Sequence, residues 1–144
     1  MQQFGLLSLG SRLKRLSDLL YGEVQEIYSE LHSPIIASHF PVLRLLQQQG
    51  RQSVMEVADS LGLSHPAISR QMANLIKQGL VEKIQDEQDA RRQQLQLSIL
   101  GAEAMQAIAP ALEAIKSSLA LITVNEHGGL LAVLTEVGNC WMQT

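Results

Sequence analysis

Cysteine occurs once in the 144 residues. An internal disulfide is therefore excluded, and a reducing cytoplasm is the simplest compartment. Aromatic residues make up only 3% of the chain, with one Trp, two Tyr and two Phe. A core must then come from Leu, Ile, Val, Ala and Met, which reads as helix packing rather than a β-sandwich. No apolar run reaches the roughly 18 residues that a membrane span needs. The start, MQQFGLLSLGSRLKRLSDLL, lacks the basic lead and unbroken apolar stretch of a secretory signal. There is no glycine-rich phosphate loop, no His-Glu-x-x-His and no nucleophile paired with a base, so no enzyme is expected. His32, His39, His65 and His127 are scattered without partners at ligand spacing, so neither a metal nor a cofactor is expected.

What is present is a 46% hydrophobic chain of single-domain length. The net charge of −3 is unevenly spread. Residues 1–43 carry three basic and four acidic side chains, residues 44–92 seven and six, and residues 93–144 one and four. The middle is the least acidic part.

Leu6, Leu9, Leu13, Leu16, Leu20, Val24, Ile27 and Leu31 recur at three- and four-residue spacing and predict a helix over 6–31. Ser33-Pro34 interrupts it. A second helix is predicted over 38–49, with Pro41 in its first turn and Gly50 at its end. Ser53-Val-Met-Glu56 is a capping box opening a helix over 54–61. Gly62 stops that helix, Ser64 caps the next, Pro66 falls in its first turn, and Gly79 follows its end. Val81 and Ile84 before a polar loop, and the alternating Leu95-Gln-Leu97-Ser-Ile99 after it, predict a β-hairpin with a charged tip over 86–92. Met105, Ile108, Leu112, Ile115, Leu119 and Ile122 form the seam of a long helix, which Pro110 should kink. Thr123-Val-Asn-Glu126 is a second capping box, expected to open a last helix containing Leu130, Leu134, Val137 and Trp141.

Ala58, Gly62 and Ile68 have the spacing of a helix-turn-helix. A small residue admits the crossing helix, glycine turns the corner, and a branched side chain locks the second helix on the first. An ordinary helical hairpin would need no more. The second helix adds a polar face. At about 100° per residue, Ile68, Met72, Leu75 and Ile76 fall on one side. Pro66, Arg70, Ala73, Asn74 and Lys77 fall opposite, with Ala67 and Ser69 at the flanks. A solvated face usually mixes acids with bases, whereas this one has two cations and no acid. Its small residues let the backbone lie deep in a major groove. Arg70 can donate to guanine or phosphate, Asn74 can pair with adenine, and Pro66 or Ala67 can touch a thymine methyl. Ser64 and His65 stand at the helix start, where His65 can meet phosphate.

The hairpin supplies a second element. Its tip, Asp86-Glu-Gln-Asp89-Ala-Arg91-Arg92, runs from acidic to basic. Arginine at a loop tip suits a narrow minor groove, and Asp89 can aim Arg91 or Arg92. Charge runs often merely solubilise a turn. Here the run follows a helix built to read DNA, with Lys77 and Lys83 as further phosphate candidates.

With these residues in place, the chain resembles the multiple-antibiotic-resistance regulator (MarR) family over nearly its whole length. The order helix, helix, helix-turn-helix, winged hairpin, long helix, helix is that family's, and so is Asp86, Asp89, Arg91, then Leu95-x-Leu97-Ser98-x-x-Gly101. Glu87 stands where proline is common, and Ser98 replaces the usual threonine while keeping a hydroxyl to cap the next helix. LGSRLKRLSDLL, HFPVLRLL and GLSHPAIS look like the subgroup often fused to an acetyltransferase domain. No such domain follows Thr144, so that activity is not expected. The resemblance implies a mainly α fold, with a winged helix-turn-helix over 38–99 and helical dimerisation regions over 1–37 and 100–144. It implies a cytoplasmic homodimeric regulator, expected to be a repressor, on a pseudo-palindromic duplex whose half-sites lie about 34 Å apart. Protein contact by the winged helix, as partner of an acetyltransferase, is the rival reading. The apolar seams at both ends of the chain support the dimer independently, because they exceed what one winged helix can cover.

A small-molecule effector pocket is expected between the dimer arm and the winged helix, with Tyr21, Tyr28, His39 and Phe40 as candidate lining residues, though each also suits a core. Cys140 beside Trp141 reads as a buried small hydrophobe, and redox or metal sensing as a third class.

Overall fold

The computed structural model describes residues 7–85, 87–89, 93–123 and 129–142. The chain divides into two compact units, Met1–Ile108 and Ala109–Thr144.

In the first unit, α1 (Leu9–Glu30) starts three residues later than the leucine spacing suggests. It ends in a Schellman motif. Ser33 N–H donates to Tyr28 O at 2.9 Å and His32 N–H to Ser29 O at 3.0 Å. The left-handed position of this motif, usually glycine, holds His32 at φ 54°. Pro34 then keeps the chain extended, and a single 3-10 turn, Ala37–His39, leads into α2 (Phe40–Gln49). The sequence periodicity predicted helix from 38, but the tighter turn occupies 37–39 and α2 begins at Phe40. Pro41 sits in the first turn of α2, where its missing N–H is harmless.

The Ser53 capping box forms in full. Ser53 N–H donates to Glu56 Oε2 at 2.8 Å, and Glu56 N–H to Ser53 Oγ at 3.1 Å, which fixes the start of α3 (Val54–Leu61). Gly62 adopts φ 64°, which only glycine takes without strain, and turns the chain into α4 (His65–Lys77). Helices α3 and α4 pack on each other, and α2 packs on α3.

Strands β1 (Val81–Gln85) and β2 (Gln93–Leu97) pair antiparallel, with Val81 opposite Leu97 and Lys83 opposite Leu95. The sequence did not reveal that Gln52, between α2 and α3, adds a backbone pair to the far edge of β2. Gln52 N–H donates to Leu95 O at 3.0 Å, and Leu95 N–H to Gln52 O at 2.8 Å. The wing is thereby tied to the start of α3. Val42, Leu43, Val57, Ile68, Met72, Leu75, Leu80, Leu95, Met105 and Ile108 are buried and form the core of this unit.

Helix α5 (Ile99–Thr123) opens in the first unit and closes in the second. The Ser98 hydroxyl accepts from Gly101 N–H at 3.0 Å and donates to Gly79 O, so it joins the helix start to the strand entry. A Cβ at Gly101 would lie 2.0 Å from Leu80 O, so only glycine permits this approach. Pro110 lies within a continuous α5. The second unit also contains α6 (Gly129–Met142). The predicted second capping box meets a different outcome. Thr123 is the last residue of α5, and Val124, Asn125 and Glu126 lie outside the described residues. Among the described residues no helix is long and apolar enough to cross a membrane.

Candidate nucleic-acid interface

Helix α4 is held from both sides. Ser64 Oγ accepts from Ala67 N–H at 3.3 Å, satisfying one free donor at the helix start. Ile68, Met72 and Leu75 are buried, and Ile76 is half-buried. These anchors turn the opposite face outward. His65, Pro66, Arg70, Ala73, Asn74 and Lys77 are exposed, as is Ser64, while Ala67 and Ser69 are half-exposed at the flanks. The arrangement matches the helical-wheel expectation residue by residue. The only ion pair among the described residues joins Lys14 to Asp18 on α1. Arg70 and Lys77 thus have no carboxylate to satisfy before meeting an anionic partner.

The hairpin places Lys83 on the same face as the buried Val81 and Leu95, one step further toward the tip, where it is exposed. Asp89 is exposed at the tip. Asp86, Arg91 and Arg92 lie outside the described residues. The other face carries a polar chain absent from the sequence reading. Arg51 Nε donates to Gln96 Oε1 at 3.2 Å, and Gln96 Nε2 donates to Glu82 Oε1 at 2.6 Å. It links the strand-like residue before α3 to both strands of the wing. Arg51-Gln52 between Gly50 and Ser53 is too short to show period-2 alternation, so no local signal marked it.

The four residues named for an effector pocket differ in setting. Tyr28 and His39 are buried, Phe40 is half-buried, and Tyr21 is 43% exposed. The 37–39 turn packs against α1 and α2, and Ala37 N–H donates to Gln25 Oε1 at 2.9 Å. Burial raises the Tyr28 phenol above its ordinary pKa and lowers the His39 imidazole below its own. His127 lies outside the described residues, as do the side chains of Cys140 and Trp141. Among the described residues no three His, Cys, Asp or Glu side chains gather as a metal site would require.

A helix with an open basic face, a supporting helix across a glycine turn, and a two-stranded wing define a winged helix-turn-helix protein. Residues 33–92 match the family model described as MarR family. A search of curated proteins finds no match. Among solved structures, a MarR/EmrR family transcriptional regulator from Acinetobacter sp. ADP1 superposes with a TM-score of 0.78 at 19% identity, covering 94% of this chain and 96% of the other. MepR from S. aureus, in a complex with DNA, gives 0.72 at 16% identity over 99% of each chain. The PcaV transcriptional regulator of Streptomyces coelicolor, solved with its natural ligand, gives 0.68 at 18% identity over 94% of this chain and 92% of the other. At these identities the likeness is one of fold.

Proposed function

We propose that this chain is a cytoplasmic, homodimeric, sequence-specific DNA-binding transcription regulator of the MarR type, acting as a ligand-responsive repressor. One observation carries the reading: the exposed face of α4 presents Arg70, Asn74 and Lys77 with small neighbours, while the opposite face is locked into the core by Ile68, Met72 and Leu75. In this reading Arg70, Ser69, Ala67, Pro66 and Asn74 meet base edges in the major groove. Lys77, Lys83, Ser64 and His65 meet phosphates. Arg91, aimed by Asp89 and accompanied by Arg92, enters or borders the adjacent minor groove. Two such faces, brought one duplex turn apart by the terminal helices, read a pseudo-palindrome. The DNA-bound MepR and the ligand-bound PcaV lend the duplex and the effector as classes of partner.

The test compares Arg70→Ala with the parent on the same labelled duplex across a salt series. Loss of roughly 1–3 kcal/mol of affinity, with relaxed base preference, supports major-groove reading. Equal binding by the two proteins contradicts it. Salt-insensitive association with a protein, and with no duplex, would instead favour the winged helix as a protein-contact module partnering an acetyltransferase.

A further inference from the structure

We propose that His39 is a protonation switch at the joint between α1 and the winged helix: charging its enclosed imidazole unseats the 37–39 turn and lowers the affinity of α4 for DNA. The effect on DNA rests on the function proposed above, whereas the switch itself rests on the joint alone.

The joint is short. Its three residues are held by the backbone bond from His39 N–H to Ile36 O at 2.8 Å and by the bond from Ala37 N–H to Gln25 Oε1 of α1 at 2.9 Å. His39 occupies the position that precedes α2, where a side chain commonly caps the helix, yet it makes no such bond. The ring is folded inward instead. His39 is 7% exposed, and its Nδ1 has no hydrogen-bond partner. A neutral imidazole protonated on Nε2 leaves Nδ1 as an idle acceptor, which is tolerable. An imidazolium must donate from both nitrogens, which puts a charged, unanswered N–H in the interior.

No carboxylate among the described residues pairs with that charge. The elements that pack most closely against the turn are α1 and α2. Of the titratable groups on the half of α1 leading to it, Tyr28 is buried and held neutral by that burial, whereas Tyr21, Glu23, Glu26 and Glu30 are exposed. Arg44 of α2 is exposed and of the wrong sign. No ion pair among the described residues involves His39, and burial is the cause that lowers its affinity for a proton.

The sign follows from where the proton prefers to bind. Above the ordinary imidazole value of 6.5 the ring is neutral whether the turn is seated or open, and the seated form keeps its full advantage. As pH falls below 6.5, the open form takes up a proton first. The seated form then loses up to about tenfold in relative population per pH unit, until its own lowered value is reached. Because α2 packs on α3 and on β2, and α3 on α4, an unseated turn removes support from the elements that present the DNA-reading face.

The test uses the full chain. The histidine ring signals are titrated by NMR from pH 8 to 5. Amide exchange at residues 37–39, corrected for intrinsic rates, is measured at pH 7.5 and 5.5. Affinity is measured between the same limits for a duplex selected at pH 7.5. The expected result is a His39 that titrates below 6.5, amide exchange at 37–39 that is faster at pH 5.5 while α4 stays protected, and an affinity that falls by up to about tenfold. His39→Gln, which has similar reach and no titration, should flatten that profile while retaining affinity at pH 7.5; His39→Phe serves the same purpose if the glutamine variant does not fold. Titration at or above 6.5, a turn protected at pH 5.5, or an unchanged pH profile in the variants overturns the switch. Absence of DNA binding at pH 7.5 overturns the regulator reading instead, and ring titration and amide exchange still decide the switch.

Discussion

The two units of this chain treat their apolar residues in opposite ways. In Met1–Ile108, Leu43, Val57, Ile68, Leu75 and Ile108 are all at 0% exposure. In Ala109–Thr144 no described side chain is buried; Leu121 is 84% exposed, and Leu130, Val133 and Leu134 are also open. The same amphipathic rule produced both. The first unit has helices on several sides, so each apolar face finds a neighbour within the chain. The second has a helical stretch at each end and apolar residues on more than one face, which water would leave costly. The winged helix buries its apolar faces within the chain, whereas the terminal unit leaves its own open, which suits the second copy that the proposed dimer requires. Helix α1 shares that character, with Leu16, Leu19 and Leu20 exposed.

The largest effect is expected where the closed unit is opened. Ile68→Ala should lower unfolding free energy by about 2–5 kcal/mol, read by denaturant titration at fixed protein concentration. A loss below 1 kcal/mol would mean that α4 is not anchored there. Gly101→Ala is next. Its methyl would collide with the Leu80 carbonyl, and a loss of about 1–3 kcal/mol is expected from the forced shift. Thermal unfolding at wild-type level would show that α5 can move aside freely.

Leu121→Asp probes the other side of the comparison. Stability of the first unit should change by less than about 0.5 kcal/mol, as for a surface site, while sedimentation should show self-association moving to higher concentration. Unchanged association would remove Leu121 from the interface. The smallest effect is a gain. His32 adopts a left-handed backbone at φ 54°, a conformation that costs an L-residue about 1–2 kcal/mol. His32→Gly relieves this and adds unfolded-state entropy, so a net stabilisation of about 0.5 kcal/mol is expected in the same titration. Destabilisation would mean that the imidazole itself holds the turn.

Much of the closed unit was legible because its signals are local. The Ser53 box, Gly62 and the Ser64 cap each act within four residues, and they set the boundaries of α3 and α4 where the structure has them. The outward face of α4 followed from helical geometry once Ile68 and Met72 were given the core. Less local features were missed. The Gln52–Leu95 pairing and the Arg51–Gln96–Glu82 chain join residues far apart in sequence, and nothing in their immediate neighbours announces the partner. Thr123 misled for the converse reason. Its capping pattern is a local preference of perhaps 1 kcal/mol, and in the structure α5 extends through it. The start of α2 was read two residues too early, because the chain leaving Pro34 first makes the tighter 37–39 turn.

The central claim is that the basic face of α4 reads duplex DNA in two copies. Selection of bound duplexes from a random pool tests it most directly. The account predicts recovered sequences with two inverted half-sites whose centres lie about 34 Å apart. Recovery of no enriched duplex, or of a single half-site without symmetry, would contradict it.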